Sequence, residues 1–119
     1  MKTGRKKSGG RYTPSRKKRL HEKPGQARIT KLGDEKRKSK TIRGGNRKTF
    51  LLKAKIINLQ DKGKTIKAEM KNVLETPSNR FFARQNILTK GTIVETDKGK
   101  ARITNRPTQE GVVNGILIK

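Results

Sequence analysis

The side chains of this chain that could do chemistry are mainly lysines and arginines, gathered in four clusters near its start. Ammonium and guanidinium groups neutralise phosphates and release the counterions condensed on a nucleic acid. Glycine, serine and threonine separate the clusters, so the backbone can bend along an irregular phosphate surface. The spacing therefore favours a folded RNA over a straight duplex. The clusters are Arg5-Lys6-Lys7, Arg16-Lys17-Lys18-Arg19, Lys36-Arg37-Lys38 and Arg43 to Lys48.

Charge is distributed unevenly along the chain. Residues 1–48 contain 19 Lys or Arg and three acids, residues 49–119 contain 14 and six, and the formal net charge is +24. Self-repulsion on this scale penalises a compact free state. Low hydrophobicity combined with high net charge is typical of disordered segments. We expect residues 1–48 to form an extended basic arm that is disordered when free, followed by a folded domain over residues 49–119.

Catalytic and metal chemistry have little support in the sequence. The chain has no Cys, and its single His, His21, lies in a basic run. General acid–base catalysis needs two titratable groups held in one cleft, whereas Glu69, Glu75 and Glu95 are flanked by polar or cationic residues, as on a solvent face. No glycine-rich loop follows a strand and opens a helix. We expect no enzyme activity, metal, cofactor or small-molecule substrate.

No segment indicates membrane insertion or secretion. A membrane-spanning helix needs about 20 apolar residues, and no apolar run here approaches that length. The start of the chain also lacks the apolar middle region of a signal peptide. We expect an intracellular protein with no membrane partner.

The second part of the chain is typical of short strands joined by hairpins. Its apolar and β-branched residues alternate, at least in part, within six short segments. Several short strands at close spacing predict an all-β domain, a small antiparallel β-barrel. Asp61-Lys62-Gly63-Lys64 and Asp97-Lys98-Gly99-Lys100 are identical hairpin signals, which we interpret as reused turn chemistry rather than an internal repeat. The predicted strands are 50–59, 65–71, 86–89, 92–96, 101–104 and 112–118.

Two features of this part leave their structure open. Residues 80–84 fit a helical turn or a strand, and Phe81 and Phe82 are expected in the core together with Phe50. Gly115, inside the last predicted strand, suits a barrel bend or a bulge.

Other residues of the basic arm could contact RNA without a charge. Tyr12 could stack on a base or anchor on the protein's own barrel. The glycine pairs Gly9-Gly10 and Gly44-Gly45 indicate close backbone approach to a partner, or simple flexibility. Because aromatic residues are otherwise scarce, recognition is expected to depend on phosphate and shape. The candidate RNA-binding residues are Arg5, Lys6, Lys7, Gly9, Gly10, Arg11, Tyr12, Arg16, Lys17, Lys18, Arg19, Lys36, Arg37, Lys38, Arg43, Gly44, Gly45, Asn46, Arg47 and Lys48.

Four long motifs span nearly the whole chain. The first is Ser8-Gly9-Gly10-Arg11-Tyr12-Thr13-Pro14-Ser15-Arg16-Lys17-Lys18-Arg19 followed by His21-Glu22. The others are Arg43 to Lys48, Asn86 to Thr96 around Thr89-Lys90-Gly91, and Gly99 to Leu117 around Arg106-Pro107 and Gly111-Val112-Val113-Asn114. In these motifs the chain closely resembles the ribosomal protein S8e family of small ribosomal subunits. Its compact length is similar to that of archaeal members.

The resemblance implies a structural role rather than catalysis. It implies a small β-barrel with an extended basic arm, in a constituent of the small ribosomal subunit. The implied partners are small-subunit rRNA and neighbouring ribosomal proteins, in the cytoplasm. The arm would bind and stabilise folded rRNA while the barrel docks on the surface, in support of subunit assembly and translation.

Two other functions stay open on the residues alone. An architectural DNA-binding protein would be equally basic, but it would need a dimer or a groove-entering helix or ribbon. An enzyme acting on RNA would need a clustered acidic or His-bearing site. Binding to folded rRNA and to duplex DNA at matched salt separates the first alternative from the RNA-binding function.

Overall fold

The computed structural model describes residues 4–12, 16–61 and 63–118. Thr13, Pro14 and Ser15 of the first motif, and Lys62 of the first predicted hairpin turn, lie outside the described residues. A single 3₁₀ turn covers Leu20–Glu22, and two short helices follow later, α1 (Arg80–Arg84) and α2 (Pro107–Glu110). The strands are β1 (Lys31–Leu32), β2 (Lys36–Thr41), β3 (Arg47–Ala54), β4 (Ile56–Asp61), β5 (Lys64–Glu75), β6 (Ile93–Thr96), β7 (Gly99–Ile103) and β8 (Asn114–Leu117).

Strands β4 to β8 form a closed barrel in chain order. Each strand is antiparallel to the next, and β4 and β8 close the barrel as a parallel pair. A parallel closure follows from the odd number of strands, because the first and fifth strands of an up-and-down order run in the same direction. The prediction of an all-β fold with a small barrel is confirmed, with this one pair as its departure from antiparallel order.

The barrel interior is filled by side chains from alternate strand positions, as period-two patterning requires. Gly115 is part of this packing and is not a bulge, because it pairs in register with Leu59 on one side and Ile103 on the other. A Cβ at this position would lie 2.8 Å from Cδ1 of Ile57 and 2.9 Å from the backbone oxygen of Arg102. The buried residues of the barrel strands include Ile57, Leu59, Ala68, Met70, Val73, Val94, Ala101 and Ile103.

Both predicted hairpins are present, but their identical turn sequences close in different registers. In the first, Asp61 pairs with Lys64. In the second, Thr96 pairs with Gly99, so the paired positions are shifted by one residue relative to the first turn. This difference agrees with our interpretation of reused turn chemistry.

A second, three-stranded sheet lies upstream of the barrel, in the order β1-β3-β2. The predicted strand over residues 50–59 is wrong as one element, because β3 ends at Ala54 and β4 begins at Ile56 in the other sheet. Strand β2 was not predicted, since its sequence, KRKSKT, has no apolar residue and every position is exposed. Both β1 and β2 lie upstream of residue 49, where we expected the folded domain to begin. The two-domain division at residue 48 stays a prediction.

A buried threonine, Thr30, directly precedes the first strand of this sheet. The hydroxyl of Thr30, which is fully buried, donates a 2.8 Å hydrogen bond to the backbone oxygen of Leu51. The backbone oxygen of Thr30 accepts a 2.8 Å hydrogen bond from the N–H of Leu88. Thr30 therefore joins the segment just before β1 to β3 and to the segment that follows α1.

Two predictions for the region between β5 and β6 are wrong, the strand over residues 86–89 and the core position of Phe81. Residues 86–89 are not a strand, since Ile87 makes only an isolated bridge to Lys31. Residues 80–84 are the helix α1, whose N-terminus is capped by the Asn79 side chain, which accepts from the N–H of Phe81 at 2.9 Å. Because a five-residue helix covers the barrel with one side only, Phe81 remains 54% exposed, and its assignment to the core is wrong. Phe82 is half-buried.

Candidate nucleic-acid interface

Most of the described lysines and arginines have no acidic partner. Within the described residues, the only Lys or Arg side chains in ion-pair contact with a carboxylate are Arg16 with Glu22, Arg37 with Glu35, and Lys55 with Glu69. His21 lies 3.9 Å from Glu22. The other described lysines and arginines therefore leave a strongly positive surface, which raises the local concentration of anions.

The first cluster is brought together by a tight turn over residues 5–11. Arg5 and Arg11 form an isolated antiparallel bridge, and the N–H of Lys6 donates to the oxygen of Gly10 at 2.8 Å. Gly9 has a φ of +78°, a left-handed conformation that glycine adopts without a Cβ clash. Two arginines directly opposite each other repel. An anion placed between them would relieve that repulsion.

Tyr12 follows this turn and is 53% exposed. The Nζ atom of Lys6 lies 5.8 Å from the centroid of the Tyr12 ring, within the range of a cation–π contact. The first turn thus places an aromatic ring beside its cations, and Lys7, Gly9 and Gly10 are all exposed there.

The second cluster contains an internal ion pair. Both terminal nitrogens of the Arg16 guanidinium donate to the Glu22 carboxylate, at 2.7 and 3.0 Å, and the backbone N–H of Arg19 donates to it at 2.8 Å. The hydrogen bond from Arg16, followed by that from Arg19, lowers the pKa of Glu22. Arg16 keeps three of its five N–H donors outside this pair. Lys17, Lys18 and Arg19 are exposed.

The third cluster is divided between two faces of the upstream sheet. Lys38 pairs with Phe50 and Arg37 with Leu51, so their side chains lie on opposite faces. Arg37 forms an ion pair with Glu35. Lys36 pairs with Lys53, next to a register irregularity. The cluster Lys36-Arg37-Lys38 therefore does not form one continuous patch.

Phe50 is the centre of a basic surface on this sheet. The ring is 4% exposed, and the guanidinium carbon of Arg28 lies 3.9 Å from its centroid. Lys38 is directly opposite Phe50, and the neighbouring cross-strand pair on the same face is Lys40 with Lys48. We call Arg28, Lys38, Lys40 and Lys48 the basic sheet face.

The fourth cluster forms the hairpin loop between β2 and β3. The N–H of Ile42 donates to the oxygen of Asn46 at 2.8 Å, and Gly44 and Gly45 have φ values of +84° and +78°. A Cβ on Gly45 would meet no atom within 4 Å. Within the protein, the paired glycines are needed for the turn rather than for a close approach. Arg43, Asn46 and Arg47 are exposed around this loop.

The family model of ribosomal protein S8e matches residues 1–118. The chain belongs to the ribosomal protein S8e family. This match confirms the resemblance found in the motifs. Because the S8e family consists of ribosomal proteins, which are structural components of the ribosome, family membership also confirms that the chain is not an enzyme.

Three archaeal relatives are each named small ribosomal subunit protein eS8. The relative from Haloarcula marismortui is 42% identical over 115 residues, which cover 97% of this chain and 94% of the relative. That from Nanoarchaeum equitans is 49% identical over 113 residues, covering 92% and 89%. That from Methanocella arvoryzae is 43% identical over 119 residues, covering 98% and 95%.

Two residues of the basic sheet face in this S8e chain were missed by sequence reasoning, Arg28 and Lys40. Arg28 is isolated between Ala27 and Ile29, so no cluster marks it. Lys40 continues the alternation of Lys36 and Lys38, and recognition of β2 as a strand would have placed it beside Lys38.

Among the described residues, no helix is long and apolar enough to cross a membrane. No group of three or more His, Cys, Asp or Glu there could hold a metal ion.

Proposed function

We propose that this S8e protein is a structural constituent of the small ribosomal subunit, in the cytoplasm, and binds folded small-subunit rRNA. The names of the relatives support the assignment to the small ribosomal subunit. The positive surface of the chain supports rRNA as its ligand. Neighbouring ribosomal proteins are the expected protein partners. Binding stabilises the folded rRNA and thereby supports subunit assembly and translation.

The observation that carries this proposal is the set of cations held in turns and on a sheet without carboxylate partners. The turn over residues 5–11 opposes Arg5 to Arg11, and the basic sheet face opposes Lys40 to Lys48. Like charges placed directly opposite each other destabilise a strand pair. Phosphates between them turn the repulsion into attraction, so these conformations suit a bound polyanion better than water alone.

The proposed contacts are all the candidate RNA-binding residues named from the sequence, with Arg28 and Lys40 added from the structure. Arg16 and Arg37 are shared between a protein carboxylate and the RNA, and we expect each to contribute less than an unpaired cation. The turn glycines, Gly9, Gly44 and Gly45, shape the loops that carry the cations. Tyr12 contacts RNA together with Lys6.

Salt dependence tests the proposal. We expect Lys38→Gln to weaken binding to an archaeal small-subunit rRNA transcript and to lower the slope of log affinity against log salt by about one, because one phosphate contact is lost. Lys71→Gln removes an exposed charge on β5 outside the proposed contacts, and it should leave the slope unchanged. Equal slopes for wild type and Lys38→Gln would remove Lys38 from the interface.

Competition separates the proposal from architectural DNA binding. At matched salt, the full-length protein should bind folded rRNA more tightly than a DNA duplex of equal phosphate content. If the duplex binds equally well, shape recognition is absent and the rRNA function is refuted.

A further inference from the structure

A polar cleft lies where residues 25–28, the upstream sheet and helix α2 meet. It has a volume of about 510 Å³ and is lined by residues 25–28, by Lys40 of β2, and by Thr108 and Gln109 of α2. Binding sites for small organic groups typically have volumes of roughly 300–1,000 Å³. Among the described residues, two cations and no carboxylate line the cleft, whereas a smaller cavity of about 220 Å³ near Arg37 also contains Glu35, its ion-pair partner.

Arg28 lines this cleft with a planar guanidinium group that is held in one orientation. Its guanidinium lies 3.9 Å above the ring centroid of Phe50, and that ring is buried. Stacking on an aromatic ring holds a planar guanidinium in one orientation, which a lysine ammonium cannot reproduce. Proteins that bind unpaired RNA nucleotides stack the bases on aromatic rings or on guanidinium planes. Arg28 therefore combines a charge with a stacking surface.

Lys40 supplies the cleft with a charge suited to phosphate. It is exposed and pairs across the strands with Lys48 on the same face. In the described part of the chain, neither lysine has a carboxylate within ion-pair distance. Because two like charges face each other here, a bound anion gains attraction from both.

The remaining lining side chains can read the edge of a base. Gln26 and Gln109 each carry an amide with two donor hydrogens and an acceptor oxygen, and Thr108 carries a hydroxyl. None of these three side chains makes a hydrogen bond within the part of the chain that the structure describes. Their donors and acceptors are therefore available to a ligand in the cleft.

We infer that the cleft binds a single unpaired nucleotide of the RNA. Its base stacks on Arg28, its phosphate lies at Lys40, and its base edge is hydrogen-bonded by Gln26 and Gln109. This inference rests on the proposed rRNA-binding function and adds to it one site that recognises a base, in a surface that otherwise recognises phosphate and shape.

Arg28→Lys is the variant that tests this site, because it keeps the charge and removes the planar stacking surface. With the full-length protein and an archaeal small-subunit rRNA transcript, we expect affinity to fall about tenfold, since base stacking on a side chain is typically worth a factor of roughly five to a hundred or more. The salt slope should stay at the wild-type value because the number of charges is unchanged. Arg80→Lys is the matched control, since Arg80 lies 5.2 Å over Phe81 on α1 and does not line the cleft.

Chemical probing of base edges provides the second readout. Wild-type protein should protect the base edge of one unpaired nucleotide, and Gln109→Ala should expose that base again while protections of the sugar–phosphate backbone elsewhere persist. Gln109→Ala also guards against a folding defect in Arg28→Lys, because it leaves the contact with Phe50 intact.

The outcomes separate the two proposals. If Arg28→Lys and Gln109→Ala bind and protect rRNA as wild type does, the nucleotide site is refuted and general rRNA binding stands. If the wild-type protein does not prefer folded rRNA to duplex DNA, both proposals fail.

Discussion

At the scale of single residues, the contribution of a lysine or arginine to RNA binding depends on which protein groups it already contacts. Arg16 is held by the Glu22 carboxylate, whereas Arg28 is held by the Phe50 ring. An ion pair offsets the charge of the arginine, while a stacked ring leaves that charge available. The sequence shows neither partner directly, because Glu22 is six residues from Arg16, and Phe50 lies in β3, 22 residues from Arg28.

The Arg16–Glu22 pair makes a prediction about pH. Ionised Glu22 accepts hydrogen bonds from Arg16 and from the backbone of Arg19, which lower its pKa below the ordinary value of 4.5. Because the folded-state pKa is lowered, the ion pair stabilises the 3₁₀ turn at Leu20–Glu22 fully above pH 4.5. This stabilisation is lost as the pH falls through the lowered pKa. NMR titration of the Glu22 side chain in the full-length protein should show this lowered midpoint.

Two variants make the titration specific. Arg16→Gln should return the Glu22 pKa towards its ordinary value, since the largest cause of the shift is removed. Arg19→Gln should keep most of the shift, because the contact of Arg19 with the carboxylate is through its backbone N–H. A Glu22 midpoint that does not respond to Arg16→Gln would contradict this assignment.

At the scale of elements, the alternation of apolar residues predicted the barrel hairpins, and the elements that lack this signal were missed. The hairpins β4–β5 and β6–β7 can be predicted from the alternation of apolar and polar residues and from the turn residues between the strands. Strand β2 has no apolar residue, and its pairing with β3 becomes visible only when the Gly44-Gly45 turn is recognised as a hairpin. The sequence of helix α1 fits a helix or a strand, because five residues contain too few turns to show a helical period.

Gly45 tests the role of the β2–β3 turn. Because its φ is +78° and a Cβ there would meet no atom within 4 Å, Gly45→Ala adds only the backbone strain of the left-handed region, about 1 kcal/mol. Hydrogen exchange of the Ile42 amide, which donates to Asn46, should become roughly fivefold faster as the hairpin opens more easily. Gly4→Ala is the control, since Gly4 lacks a positive φ and also has open space around it. An unchanged Ile42 rate in Gly45→Ala would show that the turn does not limit opening.

At the scale of the whole molecule, the main feature is the boundary between the basic arm and the folded domain. Composition alone predicts a boundary at residue 48. In the structure, Thr30 is buried between β3 and the segment after α1, and Arg28 covers Phe50. A buried hydrogen bond of this kind contributes about 1 kcal/mol, and the pairing of β2 with β3 adds to it. From these contacts we predict that residues 28–41 unfold together with the barrel.

Two truncations distinguish the boundaries. Removal of residues 1–22 takes away nine Lys or Arg and one acid, so the salt slope of rRNA binding should fall by several units. The midpoint of thermal unfolding should stay within a few degrees of wild type, because Thr30, β1 and β2 remain. Removal of residues 1–48 also deletes Thr30 and both partner strands of β3, β1 and β2, which exposes Phe50. We therefore expect a clearly lower unfolding midpoint or an insoluble product. If the chain lacking residues 1–48 unfolds at the wild-type midpoint, the upstream sheet adds nothing to the barrel, and the boundary at residue 48 is correct.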